Sequence, residues 1–142
     1  MALHPDFPVV EGRYQMTREW SVLLPSKFNR RIEEGDLVLW QPGMTVWVAI
    51  WNNDKNETAQ QRLDWVKETG SSDATSHNEM RRDDVLYYTY RLAEPSDDRR
   101  VPALYCYAFA PASHVQMAVY FDAEADSARA ESISLSLTYA AR

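Results

Sequence analysis

Between Thr45 and Trp51 the side chains alternate, and neither face of the alternation is polar. Val46, Val48 and Ile50 share one face, and Trp47, Ala49 and Trp51 share the other. Asp36 to Gln41 precedes this run across Pro42-Gly43, a turn dipeptide, so the two segments read as a hairpin. The same two-sidedness recurs downstream. Leu86, Tyr88 and Tyr90 oppose Val85 and Tyr87, while Val101, Tyr105, Tyr107 and Phe109 oppose Leu104 and Cys106. A sheet of such strands has two apolar faces. Either helices cover both, or one face is left for a partner.

The rest of the chain supplies further elements. Trp20 to Pro25 reads as a brief strand that Pro25 ends, because proline brings no N–H to the ladder. Ala59, Leu63 and Val66 recur at helical spacing between Glu57 and Glu68, with Trp65 beside them and Gln60, Gln61, Arg62 and Lys67 turned to water. Asn56 or Asp54 is placed to cap that helix, and Gly70 to end it in a left-handed conformation. Ser71 to Asp84 carries no periodicity and reads as an exposed loop. Strands follow over Val85 to Leu92, Val101 to Ala110 and His114 to Asp122, joined by turns at Glu94 to Arg100 and Pro111-Ala112-Ser113. In the C-terminal segment Ile133, Leu135, Leu137 and Tyr139 alternate as a strand would. The helix formers from Ala123 to Glu131 argue instead for a helix burying Ile133, Leu137 and Ala140. With short turns throughout, the pairing is expected to be mainly antiparallel.

The chain has 142 residues, which fits a single globular domain spanning 1–142. Fifteen basic against twenty-one acidic residues give a net charge of −6, which argues against nucleic acid as a partner. Cys106 is the one cysteine and has no internal partner, which fits a reducing compartment. The start of the chain has no secretory h-region, and no window approaches the roughly 20 apolar residues of a membrane span. A cytoplasmic location without membrane insertion is the expectation, and the Asn56-Glu57-Thr58 acceptor triplet is then fortuitous.

A resemblance follows from the order of these features. Trp20 to Pro25 and Phe28-Asn29-Arg30-Arg31 precede an acidic turn. Leu37 to Trp40 and Thr45 to Trp51 follow, then one mid-chain helix, three strands and an Ala-rich end reading Ser-Leu-Thr-Tyr. From about Tyr14 to Ala140 this resembles small bacterial proteins with the Mog1/PsbP-like fold. The resemblance implies an α+β architecture, an antiparallel sheet of about six strands flanked by helices as an α/β/α sandwich. It favours a C-terminal helix. It also implies a cofactor-free adaptor rather than an enzyme, since the more distant relatives are a small-GTPase regulator, a photosystem accessory protein and secretion chaperones. No functional residue transfers from them.

Catalytic arrangements are sparse. There is no Gly-x-Ser-x-Gly, no glycine-rich phosphate loop and no cysteine pair. His77 reads as a solvated loop histidine, since His77-Asn78-Glu79 lacks the second histidine of a zinc helix, and no metal site is expected. Ser113, His114, Cys106 and Asp122 are the residues from which a nucleophile and base would be assembled. Cys106 reads as a buried thiol and His114 as an edge histidine. The pairs Glu33-Glu34, Asp83-Asp84 and Asp97-Asp98 read as solvated turn charges, and Arg30-Arg31 as a solvated face.

The aromatic content is the unusual feature. Aromatics reach 12% and gather on strands. Trp40, Trp47, Trp51, Tyr88, Tyr90, Tyr105 and Tyr107 are the candidate binding residues, because indoles and phenols combine large contact area with a polar tip. The leading expectation is a non-enzymatic module offering an aromatic sheet face to a protein or peptide partner, an amphipathic helix being the favoured mode. The alternative is a small-molecule binding protein or enzyme with a pocket near His114. Homodimerisation through the aromatic face or an edge strand is a third reading.

Overall fold

In the computed structural model, which describes residues 3–96 and 99–140, the alternating runs become strands and the amphipathic stretches two short helices. In chain order these are β1 (Val9–Gln15), β2 (Trp20–Glu33), β3 (Asp36–Gln41), β4 (Met44–Asn52), α1 (Ala59–Thr69), β5 (Thr75–Arg82), β6 (Val85–Ser96), β7 (Arg99–Phe109), β8 (Ser113–Phe121), α2 (Ser127–Leu135) and β9 (Thr138–Tyr139). The strands form one antiparallel sheet in the order β1-β2-β3-β4-β8-β7-β6-β5, and β9 also pairs with β2.

This corrects the expected fold class. Strands take 57% of the chain and helices 17%, so the protein is mostly β. Among the described residues there are nine strands and two α-helices of eleven and nine residues, rather than about six strands flanked by helices. The α+β description and the Mog1/PsbP-like α/β/α sandwich are therefore set aside. The additional strands lie where periodicity is weakest. β1 precedes the first expected strand, and β5 falls inside the segment expected to be an exposed loop. In β5 Met80 packs against the inner core and His77 against Tyr88 and Tyr90, while the other residues are polar or charged and exposed. Its remaining polar and charged residues discourage edge-to-edge pairing.

Local differences have equally local causes. β2 runs through Pro25 because the register jumps from Val10↔Phe28 to Gly12↔Leu24, leaving Pro25 in a bulge where a missing N–H breaks no ladder bond. Gly12 takes φ 69° at the same irregularity. Thr58, rather than Asn56 or Asp54, caps α1. Its hydroxyl accepts from Gln61 N at 3.1 Å, and the Gln61 side chain accepts from Thr58 N at 2.7 Å. Gly70 follows in an extended conformation, φ −75°, rather than a left-handed one. β6 and β7 extend to Ser96 and from Arg99, leaving only Asp97-Asp98 of the expected turn, outside the described residues.

The sheet separates two cores. The inner one gathers Trp20, Phe28, Tyr87, Met117 and Phe121 with Ala130, Ile133 and Leu137 from α2 and the residues after it. The ambiguous C-terminus is thus helix and then strand. α2 ends at Leu135, Leu137 stays buried, and Thr138–Tyr139 joins β2. Two donors hold that exit, Tyr87 Oη at 2.6 Å and an Arg82 guanidinium nitrogen at 2.8 Å, both bonding the Leu137 carbonyl. The outer core lies under α1, where Leu63 and Val66 meet Leu86, Tyr88 and Phe109. No helix among the described residues is long and apolar enough to cross a membrane.

Ile133 is fully buried, so Ile133→Ala should cost about 2–5 kcal/mol in urea unfolding. Trp65, 63% exposed, should tolerate alanine within about 0.5 kcal/mol in the same measurement.

Candidate functional site

Strand periodicity places all seven candidate aromatics on the outer face, opposite α2. The register sets them in cross-strand rows over β7, β8 and β4: Phe109–His114–Trp51, Tyr107–Gln116–Ala49 and Tyr105–Ala118–Trp47. Ala49 and Ala118 are the small members of this grid. They form a floor between taller rings, and the result is a groove. Its deeper part is a cavity of about 700 Å³ between β4, β8 and α1, lined by Trp51, Trp65, Tyr107, Phe109 and His114. A second cavity of about 440 Å³, lined by Trp47, Ala49, Tyr105, Ala118 and Tyr120, adjoins it. Trp51 and Gln116 line both.

The polar tips of the walls are held by neighbouring carboxylates. Trp47 Nε1 donates to Asp36 at 2.9 Å. The Tyr105 and Tyr120 hydroxyls both donate to Glu94, and they lie 3.2 Å apart. Burial first, then the bond to Glu94, raises the Tyr105 phenol well above its ordinary pKa, so it stays a neutral donor. Tyr90 stacks on Tyr105 with centroids 5.1 Å apart, and burial raises its phenol too.

Arg62 sets where α1 sits. It was expected to face water but is only 6% exposed. Its guanidinium donates to the Ala110 carbonyl at 2.6 Å and the Ser113 carbonyl at 3.3 Å, tying the helix to the β7–β8 turn. It also lies 5.4 Å from the Phe109 ring centroid and 3.5 Å from His114 Nδ1. Asn53 closes the same corner, donating to the carbonyls of Glu57 and Pro111 at 2.8 and 3.0 Å.

The candidates divide by exposure. Trp51 is 47% exposed and Trp47 and Tyr107 are half-buried, whereas Tyr88, Tyr90 and Tyr105 are buried. Trp40 shares the face but not the groove. Phe7 packs edge-on to it at 5.0 Å and the Arg31 guanidinium covers it at 4.5 Å. Trp65, Phe109, Gln116, Tyr120 and the two alanines were absent from the candidate set. Gln116 carried a usable signal, as a polar residue on an otherwise aromatic and apolar face.

The remaining expectations resolve as follows. His77 lies on β5 rather than in a loop, with Nδ1 2.6 Å from Tyr88 Oη. His114 is on the interior strand β8, not at an edge. Cys106 belongs to the inner core and His114 to the outer face, so the sheet itself separates the imagined nucleophile from its base. Ser113 Oγ accepts from the buried Trp20 indole at 2.7 Å. Glu34 and Asp83 occupy turns with φ 51° and 57°, and Asp97-Asp98 lies outside the described residues. Among the described residues, no three His, Cys, Asp or Glu side chains converge as metal ligands. No protein-family model and no curated protein matches the chain.

Burial, and then the charge of Arg62, lower the pKa of His114 below its ordinary 6.5. The unfolded histidine binds a proton as pH falls through about 6.5, and the folded one only at lower pH. Its contribution to stability should be complete above that value and decline as pH drops toward the depressed native midpoint. An NMR titration giving a His114 midpoint at or above 6.5 would contradict this. Cys106 is fully buried and its thiol is pushed up to about 12. At pH 8 a thiol reagent should therefore label it only after denaturation.

Proposed function

We propose that this protein is a non-enzymatic binding module whose outer groove takes a peptide segment of a protein partner. The observation that carries the reading is the pair of indoles at the groove mouth, Trp51 at 47% and Trp65 at 63% exposure. They stand over a floor of alanines and stacked rings. Large exposed indoles beside an apolar cavity are the side chains that dominate protein interfaces.

Charge indicates what the segment carries. Asp36, Asp54 and Glu57 line the groove with Lys55 and Arg62, a small acidic excess in which Asp36 also accepts from the Trp47 indole and Glu57 acts on the Arg62 charge. The rim therefore favours a segment with both apolar and basic residues. The same acidity disfavours a second copy as occupant, because each chain carries −6. The small-molecule alternative near His114 is the weaker reading. The side-chain partner in hydrogen-bond range of that imidazole is a guanidinium, which cannot accept its proton.

Leucine–lysine nonapeptides are suitable probes, with leucine–glutamate peptides as controls. The lysine set should bind with a blue shift of tryptophan emission and weaken as salt rises, while the glutamate set should not bind. Trp51→Ala should weaken binding by about tenfold or more. Ala118→Leu, which raises the floor at a buried position, should abolish it in protein whose circular dichroism shows it still folded. If neither set alters the emission at millimolar concentration, the reading is wrong.

A further inference from the structure

The groove contains two polar side chains whose hydrogen-bonding capacity the protein leaves open. Gln116 lines both cavities, and its amide makes no hydrogen bond to the described residues. His114 lies two positions earlier on β8, so both side chains leave the same face of the strand about 7 Å apart. The Arg62 guanidinium approaches His114 Nδ1 to 3.5 Å. A guanidinium can only donate, so this contact favours the tautomer in which Nδ1 accepts and the ring proton sits on Nε2. That Nε2–H has no partner among the described residues. On the neighbouring strand, Gln116 faces Ala49 and His114 faces Trp51, so Ala49 forms a step flanked by Trp47 and Trp51.

We infer that the bound segment is extended, with main-chain groups held by the Gln116 amide and His114 Nε2–H while one side chain rests on Ala49. The inference rests on the groove being a peptide site and specifies the conformation of what it takes. The carbonyls on one side of an extended chain repeat about every 7 Å, the same interval as the two donors. A chain running along β4 presents that edge to β8. Alternate side chains then point into the groove and away from it, which suits apolar residues facing the rings and basic residues meeting Asp36, Asp54 and Glu57. A helix has its backbone groups bonded internally. Laid across the same floor, it would bury an amide and an imidazole N–H with nothing to bond.

Two lysine–leucine nonapeptides of identical composition separate these cases, one strictly alternating and one patterned for a helix. Both are titrated below the concentration at which they self-associate. The alternating peptide should bind about tenfold tighter. Gln116→Met, which keeps the side-chain length and removes the amide, should weaken it about three- to tenfold and leave the helical pattern unaffected. The side-chain NH₂ resonances of Gln116 should shift only with the alternating peptide. If the helical pattern binds as tightly or tighter and Gln116→Met weakens neither peptide, the extended mode is wrong while the groove reading stands. If neither peptide binds, the groove reading fails and this inference fails with it.

Discussion

A helix about 10 Å across spans roughly two strands of a sheet whose strands lie about 4.8 Å apart. Here the outer face extends across a path of eight strands, and among the described residues α1 is the one helix set against it. Both faces are apolar, so the mismatch between available helix and sheet width determines the rest of the architecture. α1 rests over β6 and β7. At the opposite side the residues before β1 fold over Trp40, anchored by Asn29, which bonds the backbone of His4, Phe7 and Pro8. Between these two covers lie β8 and β4. The groove is the width that neither cover reaches.

The position of α1 depends on one buried cation. Arg62 holds the helix to the carbonyls of the β7–β8 turn, which take its hydrogen bonds, while the Glu57 carboxylate acts on its charge from nearby. Truncating it would take a donor from both carbonyls, although the Ser113 carbonyl keeps its bond from Ala110 N at 2.9 Å, and a buried group left wholly unmet costs about 1–3 kcal/mol. It would also loosen the wall that carries Trp65. The same guanidinium favours one tautomer of His114, so one side chain links the placement of the helix to the chemistry of the groove floor.

Much of the sheet was legible because strand period is exact. Once Trp47, Ala49 and Trp51 were assigned to one face and Tyr88, Tyr90, Tyr105 and Tyr107 to matching faces, their gathering on a common surface needed only antiparallel pairing. The sequence failed to reveal features that depend on distant partners. β5 reads as a loop because only Met80 marks a core face, and β6 is what makes it a strand. Pro25 looks like a terminator unless the bulge opposite β1 is known. Arg62 reads as solvated because the carbonyls that accept its protons lie 48 and 51 residues away. The overestimate of helical cover has the same origin. Two-faced strands state that both faces must be shielded, but not that the segment before β1 can share that task with helices.

The polar networks behind the rings bear on recognition as well as stability. Trp47 is held by Asp36, and Tyr105 and Tyr120 are held by Glu94, so these walls are ordered before any segment arrives. Ordering the side chains of an interface typically costs about 0.5–1.5 kcal/mol each when it must happen on binding, and a prebuilt wall avoids most of that cost. Because their polar tips are satisfied within the fold, these residues offer an incoming chain mainly their apolar faces. Discrimination then falls to the groups whose capacity remains open. In the proposed binding mode, Trp51 and Trp65 contribute area at the mouth, the groove carboxylates select charge, and Gln116 and His114 select backbone geometry. On the proposed reading, an interface divided in this way would bind many apolar segments weakly through its walls and favour few strongly. The difference between them is set by groups that contribute little to holding the fold together.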